Sequence, residues 1–336
     1  MARAWGELRM EDVARRAGVS LATVSRTLSK PGKVAPETRR RVLRTISATG
    51  YVHNLVAGSL ATKRTHVVAA IVNSIDNPVH AMTLHATSEV LRTSGIHLLL
   101  GQDRFSPVEE EKAIAAFLAR RPDGFILHSR RHTPQAIRLL KSSGVPIVEL
   151  GELSGKPLDM VVSYSNFEAA RSLTTCVIKK GYERIGFVCS GKNLSEPQYL
   201  RWRGYRAALR QHGQPYSPAR VVETGRGLRV GAEALHTLLN QAPDTDAVFF
   251  TADVMAVGAE LECLRRGWKV PERIAIVGFD DQEIAQEAFP ALTTIHVPRE
   301  EIGRLAGQLL LDRLHEKTVA PKIVDVGFLL IERGSA

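Results

Sequence analysis

The segment GVSLATVSRTLS (residues 18–29) decides the fold of the N-terminal part of the chain. It follows MEDVARRA (10–17), whose apolar residues recur at helical spacing and whose first turn is acidic. Gly18 is suited to end that first helix, and Ser20 is a good N-cap for a second helix over 21–28. The segment therefore predicts two short helices that are joined by a tight turn.

A third helix follows in APETRRRVLRTISATG (35–50), and the three helices together predict a helix-turn-helix with a small core. Val24 and Leu28 would hold the second helix to this core. The opposite face is small and nearly uncharged, so it can approach base edges in a DNA major groove. That face consists of Leu21, Ala22, Ser25 and Arg26.

Charge is unevenly distributed along the 336 residues. The formal net charge is +10, and residues 1–66 hold 13 Lys and Arg against 4 Asp and Glu, whereas the remainder is nearly neutral. A small basic module on a neutral body is typical of nucleic-acid binding. A solvated basic tail, or a three-helix domain that binds protein, is the alternative at this point.

Composition indicates a globular protein, with 44% hydrophobic and 24% charged residues. The three cysteines, Cys176, Cys189 and Cys263, have no metal-binding spacing and favour a reducing compartment. No apolar run reaches membrane-spanning length, and MARAWGELRM lacks the apolar core of a signal peptide. We therefore expect a cytoplasmic protein with no membrane partner.

Beyond residue 66 the pattern alternates short apolar runs with helical stretches, which predicts open parallel α/β sheets. There are too many units for one compact sheet, so we expect two lobes with a ligand cleft at the carboxyl ends of their strands. The apolar runs are VVAAIV (67–72), HLLLG (97–101), GFILH (124–128), PIVEL (146–150), RIGFV (184–188), AVFF (247–250) and IAIVGFD (274–280).

The segment from Asp12 to Arg64 resembles the DNA-binding headpiece and hinge of the lactose-repressor/galactose-repressor family. The resemblance continues through NFEAAR (166–171), VPERIAIVGFDD (270–281) and LTTIHVP (292–298). It implies an all-α helix-turn-helix headpiece followed by an α/β two-lobed core like a periplasmic binding protein. The implied boundaries are a headpiece at 1–52, a hinge at 53–65 and a core at 66–336, with one lobe at about 66–162 and 292–323 and the other at about 163–291 and 324–336.

The resemblance also implies a homodimeric transcriptional repressor that binds a palindromic operator in double-stranded DNA. Within the hinge, Leu60 would wedge into the minor groove, since an apolar wedge between base steps kinks DNA. For Thr23 and Tyr51, a purely packing role is the alternative. The residues that match DNA-contacting positions of the family are Ser20, Leu21, Ala22, Thr23, Ser25, Arg26, Lys33, Tyr51, Asn54, Ala57 and Leu60.

In the core, the resemblance places polar side chains around a small-molecule cleft. His80 and Arg226 stand where relatives often carry aromatic rings, and cations in place of rings favour an anionic ligand. HTPQAIRLLKSSGVPIVEL (132–150) is similar to the gluconate-utilisation repressors, so the expected effector is a sugar acid such as gluconate or a phosphogluconate. For each histidine, a structural role is the alternative. The expected effector-binding residues are His80, His128, Asn166, Arg201, Arg226, Asp253 and Asp280.

A cytoplasmic sugar-binding protein or a sugar-processing enzyme with a basic arm is the alternative function. No nucleophile–base pair or metal cluster in the sequence supports an enzyme. GFVCSGKN (186–193) nearly matches a phosphate-binding loop, but Asn193 stands where the magnesium-binding hydroxyl is required. We therefore expect no catalysis and no cofactor.

Overall fold

The computed structural model describes residues 8–52, 64–153, 155–191 and 195–336. The chain divides between Thr65 and His66 into two compact units. The first unit consists of α1 (Met10–Ala17), α2 (Leu21–Ser29), a short 3₁₀ turn (Pro31–Lys33) and α3 (Pro36–Thr49). These elements confirm the three predicted helices.

The caps of the first unit explain its tight turns. Gly18 ends α1 in the left-handed conformation (φ 61°), which a side chain would strain. The Ser20 hydroxyl accepts a hydrogen bond from the backbone N–H of Thr23 at 3.2 Å and so caps α2. Val13, Val24 and Val42, one from each helix, are fully buried and form the centre of the core.

The second unit alternates strands and helices. Its strands are β1 (Val67–Val72), β2 (His97–Gln102), β3 (Gly124–Leu127), β4 (Ile147–Glu149), β5 (Met160–Ser163), β6 (Ile185–Cys189), β7 (Val221–Glu223), β8 (Ala247–Phe250), β9 (Ala275–Val277), β10 (Thr294–His296), β11 (Ile323–Asp325) and β12 (Leu329–Ile331). Its helices are α4 (Pro78–Arg92), α5 (Pro107–Leu118), α6 (Pro134–Ser143), α7 (Asn166–Lys179), α8 (Glu196–Gln211), α9 (Leu228–Gln241), α10 (Asp253–Arg265), α11 (Glu283–Glu287) and α12 (Arg299–Leu314).

Two parallel sheets define two lobes. The first has the strand order β11-β5-β4-β3-β1-β2, and the second has the order β7-β6-β8-β9. An antiparallel pair, β10 and β12, continues the second sheet through bridges between Val277 and Thr293 and between Asp280 and His296. This confirms the expected two lobes of parallel α/β structure, in which buried strands carry continuous apolar sequences.

Two predicted lobe boundaries differ from the structure. The prediction placed residues from 292 onward in the first lobe, but β10 (Thr294–His296) lies at the edge of the second sheet. The chain enters the first lobe only with α12, which packs against α4. The prediction left the first lobe again after 323, but β11 pairs with β5 through Asp325. Hydrogen bonds along the sheet edges determine where the chain crosses between the lobes, and the apolar pattern of the sequence does not show which strands pair there.

Close helix packing holds the second lobe together. A Cβ on Gly258 of α10 would lie 1.9 Å from the Leu228 carbonyl oxygen, and one on Gly231 of α9 would lie 2.0 Å from that of Met255. The two helices therefore cross with backbone against backbone.

Among the described residues, no helix is both long and apolar enough to cross a membrane.

Candidate functional site

The second helix of the first unit presents the predicted small face to solvent. Leu21 is 44% exposed, and Ala22, Ser25 and Arg26 are exposed as well. Val24 is fully buried and Leu28 is half-buried against the core, as predicted. Thr27, which the sequence did not single out, is buried too and donates a hydrogen bond to the Thr23 carbonyl oxygen.

The remaining predicted DNA contacts divide into three groups. Ser20 and Thr23 are joined by a 2.9 Å hydrogen bond between their hydroxyls at the start of α2. Lys33 is exposed, whereas Tyr51 is 9% exposed and packs in the core, where burial raises the pKa of its hydroxyl. Asn54, Ala57 and Leu60, with the rest of the predicted hinge from 53 to 63, lie outside the described residues.

In the second unit, a cleft opens between the carboxyl ends of the two sheets. It has an inner compartment of about 60 Å³ and an outer compartment of about 250 Å³, and both are lined by Phe105, His128 and Pro197. The inner compartment brings together five of the seven predicted effector-binding residues, namely His80, His128, Arg201, Arg226 and Asp280.

Arg201, on α8, is held in place by neighbours from both lobes. Its Nε donates to Asn166 Oδ1 at 2.9 Å, its Nη1 to the Thr251 carbonyl oxygen at 2.7 Å and its Nη2 to the Tyr164 hydroxyl at 3.0 Å. The guanidinium also stacks 3.6 Å above the Phe279 ring. Most N–H groups of Arg201 are thus already hydrogen-bonded within the protein. Its side chain therefore provides a positive charge at a fixed position in the lining of the inner compartment.

Asp280 and Arg299 join the lobes at the floor of the inner compartment. Asp280 follows β9 of the second lobe with φ 107°, a strained backbone conformation for a residue with a side chain. Its carboxylate accepts a hydrogen bond from Arg299 Nη2, at the start of α12, and Arg299 Nη2 also reaches the Tyr164 hydroxyl at 3.2 Å. The Arg299 Nε is buried without a hydrogen-bond partner.

Arg226 adds a second incompletely satisfied guanidinium. Its Nη1 is buried without a partner, and burial lowers the pKa of the group, although Asp280 partly opposes this. Three arginines therefore face a single aspartate across the inner compartment. Unsatisfied buried donors of this kind favour an anion with several acceptor oxygens.

Two neutral imidazoles complete the wall. His80 and His128 stack edge to face with ring centroids 4.6 Å apart. Burial, reinforced by Arg299 and Arg226, lowers the pKa of His80 to about 3, and burial and His80 lower that of His128 well below its usual value. His80 Nδ1 and His128 Nε2 are buried without partners, so each ring can offer a hydrogen bond to a ligand without adding charge.

The structure does not bring Asn166 and Asp253 to the cleft. Asn166 is fully buried behind Arg201 and donates to Glu152 and to the Gly151 carbonyl oxygen. Asp253 is also fully buried, and it accepts hydrogen bonds from the Thr294 hydroxyl at 2.6 Å and from the Gln282 backbone. Neither residue lines the two compartments described above, and neighbouring groups already bond their polar atoms. Their contact with an effector stays a prediction.

Sequence reasoning missed Arg299 and Tyr164. A signal for each was present, since both are polar residues that closely follow an apolar strand, β10 and β5, at its carboxyl end. Within the described part of the chain, no group of His, Cys, Asp and Glu side chains could hold a metal ion.

The fold and these two sites define a DNA-binding transcriptional regulator. Residues 9–54 match the lacI family of bacterial regulatory proteins, and residues 175–336 match the periplasmic binding protein-like domain. The chain belongs to the lacI family.

Its relatives match along nearly their whole length. The chain is 38% identical over 336 residues to the HTH-type transcriptional regulator GntR of Pseudomonas aeruginosa, covering 99% of this chain and 97% of that one. It is 34% identical over 327 residues to GntR of Escherichia coli K12, covering 97% and 98%. A crystal structure of a regulator of this family from Silicibacter pomeroyi has a TM-score of 0.91 at 31% identity, covering 98% and 99%.

Proposed function

We propose that this regulator is a repressor that binds a palindromic operator as a homodimer and responds to a sugar acid in the cleft of its core. The observation that carries the DNA part is the exposed small face of α2 within the basic first unit. Leu21 and Ala22 would read base edges, and Arg26 would bind a guanine edge or a phosphate. Ser20, Thr23 and Lys33 would contact phosphates.

The proposed binding of a sugar acid is supported by the guanidinium groups of the inner compartment that have N–H groups without a hydrogen-bond partner. A carboxylate can accept hydrogen bonds from Arg226 Nη1 and Arg299 Nε, and sugar hydroxyls can use Asp280 and the two neutral histidines. Arg201 would hold the wall, with Asn166 positioning it from behind. This donor set supports an acid such as gluconate or a phosphogluconate over a neutral hexose.

Coupling between ligand and DNA requires that the acid bind two arrangements of the lobes with different affinity. The cleft provides for this, because its hydrogen-bonding groups come from both lobes: Arg299 and His80 from the first, and Arg226 and the acceptor Asp280 from the second. The alternative of an enzyme or a sugar-binding protein with a basic arm is not favoured, since the relatives are transcriptional regulators.

Two measurements test the proposal. Mobility shift against a palindromic duplex, with a scrambled duplex as control, should show specific retardation by a dimer, and adding the acid should change it. Calorimetry against gluconate, 6-phosphogluconate, 2-ketogluconate and glucose should show binding of an acid but not of glucose. Absence of specific retardation refutes the DNA part, and binding of glucose alone refutes the acid part.

A further inference from the structure

A row of arginines lies on the surface of the second lobe, away from the residues that line the cleft. Arg203, Arg206 and Arg210 project from one face of α8, at spacings of three and four residues. With Phe167 and Tyr216 they line a groove of about 450 Å³. We call this feature the arginine groove.

These three arginines carry positive charge that no carboxylate among the described residues neutralises through an ion pair. Elsewhere in the second unit, several exposed helix arginines pair with a glutamate of the same helix, as Arg229 does with Glu233. No ion pair links the three groove arginines to a carboxylate of the residues that the structure describes. Glu168, which is on the adjacent helix α7, is already paired with Arg171.

Aromatic rings lie against two of the three groove arginines, Arg203 and Arg206. The Arg206 guanidinium lies against two rings that meet edge to face, 4.6 Å from the centroid of Trp202 and 4.7 Å from that of Tyr216. Arg203 lies 5.9 Å from the ring of Phe167. A guanidinium that contacts an aromatic ring can still donate hydrogen bonds from its N–H groups, and a side chain restrained by rings loses less entropy when it binds.

We infer that the arginine groove binds an acidic segment of another protein, with carboxylates on the arginines and an apolar side chain between them on Phe167 and Tyr216. Seven residues of helix separate the outer arginines by about 10 Å, which is longer than a single phosphate or carboxylate. Exposed arginine beside tyrosine and tryptophan is the composition of protein-interface hot spots. Duplex DNA is less suited, because it offers phosphates but no apolar group for the rings.

The test uses the full-length protein and a short fluorescein-labelled peptide that alternates glutamate with phenylalanine. Fluorescence anisotropy should show saturable binding that weakens as salt rises. Arg203→Gln and Arg206→Gln should each weaken it about tenfold or more, since each removes a charge-assisted hydrogen bond. Arg229→Gln, an exposed helix arginine of the same lobe, is the matched control and should leave binding unchanged.

A peptide with glutamine in place of glutamate should not bind. No saturable binding of the acidic peptide, or equal weakening by the Arg229 control, would overturn the inference. The inference would also be overturned if Arg203→Gln and Arg206→Gln weakened binding of a non-operator duplex or of inorganic pyrophosphate but left binding of the peptide unchanged. Arg210→Gln, at an exposed position, serves as a further variant if Arg206→Gln lowers the melting temperature.

Discussion

Replacing Arg226 with methionine separates stability from ligand binding in the proposed cleft. The Arg226 Nη1 is buried without a partner, and an unsatisfied buried donor costs about 1–3 kcal/mol. Methionine has a similar length and no donor. Arg226→Met should therefore stabilise the unliganded protein by up to about 1–3 kcal/mol.

The same change should weaken binding of the acid. A hydrogen bond to a charged group contributes about 1.5–3 kcal/mol, which corresponds to about 10- to 150-fold in dissociation constant. In the wild type, ligand at one hundred times its dissociation constant adds about 2.7 kcal/mol to stability. At the same ligand concentration, a variant that binds 10- to 150-fold more weakly should retain only about 0.3–1.4 kcal/mol of that increment.

Urea unfolding with and without gluconate, together with calorimetry, measures both effects. The expected result is two changes of opposite sign: without ligand the variant is the more stable protein, and on adding ligand it gains only about 0.3–1.4 kcal/mol where the wild type gains about 2.7 kcal/mol. Arg229→Met is the control, because Arg229 is 91% exposed and should change neither quantity by more than about 0.5 kcal/mol. A variant that is destabilised without ligand and binds the acid as the wild type does would refute the reasoning.

Three further predictions concern the core of the second unit. Glu260 has both carboxylate oxygens buried without partners, and burial raises its pKa to about 8. Wild-type stability should therefore fall as pH rises from about 4.5 through 8. In urea unfolding, Glu260→Gln should be neutral at pH 4.5 and stabilising by about 1–3 kcal/mol at pH 9. His132 is the opposite case: burial disfavours its charge, but hydrogen bonds to two buried glutamates raise its pKa to about 9. His132→Gln should therefore cost about 3–5 kcal/mol at pH 6, and the loss should shrink as pH rises through 9; a constant loss would contradict this. Gly258→Ala, whose Cβ would meet the Leu228 carbonyl oxygen at 1.9 Å, should lower stability by about 3 kcal/mol or more in thermal unfolding, whereas Gly225→Ala, with its nearest atom at 3.8 Å, should not.

The first unit was predictable from sequence because its structure is local. Gly18 and Ser20 act within one turn of their own positions, and the burial of Val24 follows from helical periodicity. The alternation of strands and helices in the second unit was predictable for the same reason. Its lobe crossings were not, because whether Thr294 and Asp325 join one sheet or the other depends on partners far away in the chain.

The cleft shows the same limit at the level of single residues. Placing a polar residue at a strand end predicts that it lies near the cleft, which holds for Asp280 and His128. It does not predict whether a neighbour has already engaged the side chain, as Thr294 and Gln282 engage Asp253. The direction in which a polar side chain points, and whether its hydrogen bonds are already made within the protein, are determined only when distant segments pack together.

The Asp280–Arg299 pair gives the proposed coupling a physical form. It joins a strand end of the second lobe to the first turn of α12 in the first lobe, and Arg299 keeps one donor free. An acid whose carboxylate binds the free Nε and also Nη2 of Arg299 would compete with Asp280 for this guanidinium, while sugar hydroxyls would compete for Asp280 from the other side. A neutral sugar could replace only half of that exchange, so it would leave the carboxylate or the guanidinium underpaired in a buried site. Recognition of the acid and rearrangement of the lobes are, under the proposed function, the same exchange of hydrogen bonds.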